Sequence, residues 1–153
     1  MTTNTKNTQL KLTDGRIITF NDDQQEGLNK IKSWLKSKKQ FFALAGYAGT
    51  GKSTIIKKII DDYFGVLVVS APTHKAKKVI MRTTGQDGQT LHALLGLRPD
   101  VNLDDFNPND PKYNPLAEPK IMGYNLVIID EASMINQELY ELIKKTIKKD
   151  KDI

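Results

Sequence analysis

The chain has 153 residues, no cysteine, and 23 Lys/Arg against 18 Asp/Glu, a net charge of +5. That length suits one modest domain with a real core. The lack of cysteine excludes a disulfide framework or a thiolate metal site, and the longest apolar run, Phe41 to Ala45, falls far short of the ~18 residues that a membrane span needs.

Residues 1–9 read as a flexible polar tail without the apolar stretch of a secretory signal. Over 10–20, Leu10 to Thr13 and Arg16 to Phe20 flank Asp14-Gly15, a pair that meets the positive-φ demand of a two-residue turn, and a small β-hairpin is predicted. Asn21 with Gln24 three residues on is a helix-start signature, and Leu28, Ile31 and Leu35 then recur on one face with Trp34 beside them.

Phe41 to Ala45 reads as a short strand buried on both faces of a parallel sheet. Helix is predicted from Lys52 to Tyr63, then a second buried strand, Val66 to Ser70, closed by Pro72. A basic helix from Thr73 to Arg82 and a short apolar one around Leu91, Leu94 and Leu95 follow. Residues 97–121 hold five of the six prolines among Asp and Asn, which marks an insertion or long loop outside the core. The chain returns to a buried strand, Leu126 to Asp130, and a last helix near Asn136 to Lys149, with Leu139, Leu142 or Ile143, and Ile147 on one side. Strands alternating with helices indicate an open α/β parallel sheet with right-handed crossovers.

Gly46-Tyr47-Ala48-Gly49-Thr50-Gly51-Lys52-Ser53 matches GxxxxGK(S/T) between a predicted strand and a predicted helix, the context of a phosphate loop. Gly49 and Gly51 let the backbone curl with its N–H groups inward, and the helix N-terminus adds partial positive charge. Lys52 would reach the β- and γ-phosphates of ATP, Ser53 would ligate Mg²⁺, and Thr54 would hydrogen-bond the α-phosphate. Leu126 to Ile129 ends in Asp130-Glu131 at the carboxyl edge of the predicted sheet, where Asp130 would hold Mg²⁺ through water and Glu131 would polarise the attacking water. Asp62-Tyr63-Phe64-Gly65 matches the DxxG of GTPases, but it sits at a helix end before a strand and is read as coincidence. Residues 1–95 carry 15 Lys/Arg against 7 Asp/Glu, a bias that suits a polyanion as readily as it suits a solvated lysine-rich surface.

With these motifs in place the chain resembles the first motor domain of superfamily-one DNA helicases of the Dda and RecD type, over about residues 20–145. Gln24 looks like the family's adenine-reading glutamine, with an ordinary helix-capping Gln as the alternative. Gly46 to Thr54 is similar to its motif I, Ser70-Ala71-Pro72-Thr73-His74-Lys75 to motif Ia, Thr90-Leu91-His92-Ala93-Leu94-Leu95 to motif Ib and Asp130-Glu131-Ala132-Ser133-Met134 to motif II. The resemblance implies a RecA-like P-loop NTPase fold, spanning 21–153 as a partial ATPase domain, and single-stranded DNA held at Pro72, Thr73, His74, Thr90 and His92. Thr73, His74, Thr90 and His92 offer short donors suited to phosphate oxygens; a zinc role for the two histidines lacks a ligand set. The insertion falls where the family places a strand-separating pin, so Phe106 or Tyr113 would stack on a base or, alternatively, sit in a proline-rich loop.

The family's next strand, its γ-phosphate sensor and its second motor domain with arginine fingers have no counterpart up to Ile153. The chain is therefore expected to bind nucleotide, to hydrolyse it slowly and not to unwind DNA without a second motor domain in cis or in trans. A cytoplasmic setting, in a bacterial or phage-infected cell, is expected. Two other classes remain open: a P-loop phosphotransferase of the nucleoside-kinase kind, and an inactive nucleic-acid-binding remnant.

Overall fold

A computed structural model describes residues 7–98, 107, 109 and 117–148. It forms two compact units that divide between Tyr63 and Phe64. Residues 1–6 of the predicted tail and most of the 97–121 insertion, Phe106 and Tyr113 among them, lie outside the described residues.

In the first unit, β1 (Gln9–Lys11) and β2 (Ile17–Thr19) form the expected antiparallel hairpin, with Leu10 opposite Ile18. Leu10 and Phe20 are buried, as is Leu28 of α1 (Asp22–Leu35), and the Thr8 N–H donates to Gln25 Oε1 at 2.8 Å, so hairpin and helix share one small core. α1 starts with a reciprocal capping box between Asn21 and Gln24. α2 (Lys52–Asp62) buries Ile55 and Ile59. Lys32 of α1 and Lys58 of α2 both pair with Asp62, at 3.4 and 2.9 Å.

The predicted strand Phe41 to Ala45 is not formed: residues 39–47 take no regular secondary structure, and Phe42 is 37% exposed. An apolar run supplies a tendency to be buried, but a strand buried on both faces exists only where ladder partners flank it. The run shelters against α1 instead. Phe42 lies 5.8 Å from Trp34, ring centre to ring centre, and Leu44 packs beside Gly27, where a side chain would also meet Ile55.

The second unit is built on a parallel sheet in the order β4-β3-β5, with β3 (Leu67–Ala71) between β4 (Gly88–Thr90) and β5 (Leu126–Ile129). β4 went unpredicted because Gly-Gln-Thr carries no apolar pattern; its strand character comes from pairing with Val69 to Ala71. α3 (His74–Thr84) covers one sheet face, its Met81 lying where a side chain at Gly88 would stand. α4 (Leu91–Leu95) buries Leu91, Leu94 and Leu95.

The flanks of the insertion belong to the core, contrary to expectation. Leu97 and Ile121 are buried, the latter in a 3₁₀ turn at Lys120–Gly123, and Gly96 lies against the Ala117 carbonyl, so the two ends of the excursion meet. α5 (Gln137–Lys148), capped by Asn136, buries Leu139 and Ile143. No described helix is long and apolar enough to cross a membrane.

Candidate functional site

The first unit holds the glycine-rich loop. Gly49 and Gly51 take left-handed backbone, with φ of 79° and 85°, and Gly51 is the residue from which α2 starts. The Tyr47 carbonyl gathers the loop: it accepts the Thr50 N–H at 3.3 Å, the Thr50 hydroxyl at 2.7 Å and Lys52 Nζ at 3.0 Å. Lys52 Nζ also donates to the Gly46 carbonyl at 2.6 Å. At Gly46 the need is for close approach, since a Cβ there would come within 2.8 Å of Thr50 Oγ1.

Helix formation leaves the first N–H groups of α2 without intrahelical partners. The Thr54 and Ile55 N–H groups turn back to the Gly51 carbonyl, at 3.1 and 3.2 Å, whereas those of Gly49, Gly51, Lys52 and Ser53 find no acceptor among the described residues. Unspent amides at a helix N-terminus, beside a lysine, are a site for a polyphosphate. A cavity of about 400 Å³ opens next to the loop, lined by Gln24, Gly27, Phe42, Leu44, Tyr47 and Lys52 among others. Tyr47 is 89% exposed, and it and Phe42 are cavity residues that the motif reading missed. Ser53 and Thr54 are half-buried.

The second unit brings three predicted segments to one edge of its sheet. Ala71 and Thr90 are paired in register, so the chain leaves β3 towards Thr73 and β4 towards His92 at the same carboxyl edge. β5 arrives there too, and the Asp130 N–H extends the ladder by donating to the Ser70 carbonyl at 2.9 Å. Asp130 is half-buried and Glu131 is exposed. Glu131 has φ 54° and ψ 37°, the one positive φ among the described non-glycine residues, and starts a 3₁₀ turn at Ala132–Met134. Sequence carries no signal for this, because glutamate has no preference for left-handed backbone.

The residues expected from the family resemblance to meet DNA divide by exposure. Thr73 and His74 are exposed, and Thr73 Oγ1 caps α3 by accepting the Ala76 N–H at 3.1 Å. Pro72 is buried at the end of β3, and Thr90 is buried and caps α4 by accepting the Ala93 N–H at 3.3 Å. His92 is half-buried. Ser70, inside the motif Ia match, has a fully buried hydroxyl with no hydrogen-bond partner. Among the described residues no three His, Asp or Glu side chains gather as a metal-binding set.

A family model described as AAA domain matches residues 30–153. The chain is 29% identical over 137 residues to the ATP-dependent DNA helicase dda of Enterobacteria phage T4, an alignment that covers 85% of this chain and 30% of that protein. It is 31% identical over 147 residues to the uncharacterized protein R530 of Acanthamoeba polyphaga mimivirus, covering 84% of this chain and 30% of the relative. It is also 37% identical over 99 residues to the ATP-dependent RecD2 DNA helicase of Deinococcus radiodurans, covering 63% of this chain and 12% of that protein. The chain thus spans less than a third of the length of these relatives. A phosphate loop opening α2, acids at the carboxyl edge of a parallel sheet and a match over most of the length agree: the chain belongs to the AAA domain family of P-loop NTPases, as a motor-domain sequence of the superfamily-one helicase type.

Proposed function

We propose that this chain is an Mg-ATP-binding, helicase-type ATPase domain that contacts single-stranded DNA and works with a second motor domain supplied in cis or in trans, residues 21–153 forming its partial RecA-like domain. The observation that carries the reading is the set of four unspent N–H groups from Gly49 to Ser53 beside Lys52. That donor set matches a triphosphate, whose oxygens accept and carry negative charge.

In this reading Gly46, Gly49, Thr50 and Gly51 shape the cradle and Lys52 exchanges its two loop carbonyls for β- and γ-phosphate oxygens. Thr54 bonds the α-phosphate. The Ser53 hydroxyl and the Asp130 carboxylate are hard oxygen donors, the type that Mg²⁺ takes. Magnesium carried with the nucleotide would neutralise charge that builds on the phosphates during transfer. Glu131 would accept a proton from the attacking water. Thr73 and His74 would meet the DNA backbone, with His92 on the segment that leaves the same sheet edge, whereas the buried Pro72 and Thr90 would hold those segments in place.

Nucleotide binding by wild type, Lys52→Ala and Glu131→Gln tests the site. Lys52→Ala should bind Mg-ATP more weakly, and Glu131→Gln should bind normally yet lose turnover by about 10²–10⁴. Equal binding by all three would refute it. DNA contact through phosphates predicts an affinity for single strands that falls steeply as salt rises, and a flat profile would count against that part. Unwinding is expected only where a second motor domain is joined in cis or supplied in trans.

A further inference from the structure

The outer face of α3 is cationic and unpaired. Residues 63–86 contain Lys75, Lys77, Lys78 and Arg82 and not one Asp or Glu. Helical spacing puts Lys75, Lys78, Val79 and Arg82 within about 100° of one another, and all four are exposed, while Ile80 and Thr84 are buried on the opposite side. Lysines on other helices have acid partners: Lys30 pairs with Glu26, Lys57 with Asp61, Lys58 with Asp62 and Lys144 with Glu141. Among the described residues no carboxylate pairs with Lys75, Lys78 or Arg82.

This arrangement works against the helix that carries it. A helix N-terminus is electropositive and favours acids in its first turn, yet α3 has none there and has Lys75 and Lys77 instead. Lys75 and Lys78 are three residues apart and Lys78 and Arg82 four apart, spacings at which like charges repel. A bound polyanion removes both penalties. The face extends about 10 Å from Lys75 to Arg82, room for about three phosphates at the stacked spacing of one strand. It begins beside Thr73 and His74 and leads away from the carboxyl edge of the sheet. An acidic protein would need apolar anchors, and Val79, 46% exposed, is the one large exposed apolar residue of α3. We propose that the outer face of α3 is a phosphate track: it takes the backbone of a single strand that has passed Thr73 and His74 and carries it off the sheet edge, which lengthens the DNA site beyond the segments that the family resemblance implies. The track rests on the DNA-contacting reading above.

The test is to titrate wild type, the triple variant Lys75→Gln with Lys78→Gln and Arg82→Gln, Val79→Ser and His74→Ala with oligothymidylates of about 6 and about 20 nucleotides over a range of salt, with a thermal melt of each protein. In wild type the long strand should bind more tightly than the short one. The triple variant should lose most of that gain, binding the long strand about ten- to a hundredfold more weakly, and its slope of log affinity against log salt should be shallower by about two, at about 0.7 for each phosphate contact removed. It should nevertheless melt at or above the wild-type temperature, since the repulsion within α3 is gone, which a merely structural role for these residues does not allow. Val79→Ser should bind both strands like wild type; a loss equal to that of the triple variant would overturn the track in favour of an apolar docking face. Wild-type affinity and salt slope in the triple variant would also overturn it, and a short strand still weakened by His74→Ala would then leave the edge contact standing alone. Were wild type to bind only the long strand and the triple variant to lose it, the track would stand and the edge reading at Thr73 and His74 would fall. A wild type that bound neither strand would overturn both.

Discussion

Among the described residues two segments begin from a left-handed residue, and they are the two that carry the proposed chemistry. α2 starts from Gly51 at φ 85° and ψ 25°, and the 3₁₀ turn Ala132–Met134 starts from Glu131 at φ 54° and ψ 37°. Neither has a side-chain cap. The helices α1, α3, α4 and α5 start in the ordinary way, with Asn21, Thr73, Thr90 and Asn136 each accepting a backbone N–H. Gly51 adopts its conformation at little steric cost, whereas a side chain in that region costs about 1–2 kcal/mol. The phosphate loop needs only backbone there, so glycine serves; the turn after β5 retains a carboxylate at the price of strain.

The comparison breaks most sharply at Glu131. Glu131→Gly should reduce ATP turnover by about 10²–10⁴ and yet raise stability by about 0.5–1 kcal/mol, since the left-handed strain is relieved. Glu131→Ala should lose the same turnover without the gain, because alanine keeps the strain. A thermal melt of the two variants beside a turnover assay separates backbone from carboxylate; equal stability for both would mean the turn is not strained. Gly51→Ala is the mirror experiment. It introduces strain and pushes a methyl group into Gln24, so stability should fall by about 2–3 kcal/mol, and phosphate binding with it.

These two turns also show what was legible in the residues. The spacing of Gly46, Gly49, Gly51 and Lys52 located the loop and the start of α2, because glycine's chemistry is written in its identity. Asp130-Glu131 was located as the end of a strand, but the backbone of Glu131 was not, since nothing in its side chain asks for it. The same limit explains the errors in the sheet. Phe41 to Ala45 has the composition of a buried strand and forms none, while Gly88–Thr90 lacks that composition and pairs with β3, because ladder formation depends on neighbours that composition does not name. Gln24 was readable as a cap or as a base reader; that it caps α1 and also touches the loop depends on a contact 26 residues away.

Ordinary helix starts should respond differently from the two left-handed ones. Thr73→Ala and Thr90→Ala remove the oxygens that accept the Ala76 and Ala93 N–H groups, and each should cost about 1 kcal/mol in a denaturant melt. Thr73→Gly should cost only a few tenths of that unit, because glycine itself is an acceptable cap residue. Glycine is thus close to harmless at Thr73, favourable for stability at Glu131 and required at Gly51, and the same replacement ranks the three starts by how much backbone and side chain each contributes. A large loss at Thr73→Gly would show that its hydroxyl does more than cap.

The smallest expected effects come from surface ion pairs, which serve as the control for all of these. Hydrogen bonds from Lys30 and Lys144 hold Glu26 and Glu141 below the usual carboxylate range. A carboxylate with a lowered folded value stabilises the chain above its unfolded pKa and loses that contribution as pH falls through the folded one, so the loss should appear only below about pH 4. Both groups are exposed, so the effect should be slight and should shrink with salt. Glu141→Gln should flatten this acid limb in a melt while leaving the gain from Glu131→Gly intact, because the two residues share no partner. Were the gain to disappear in the double variant, the strain assigned to Glu131 would have to be traced instead to the charge on the helix that follows it.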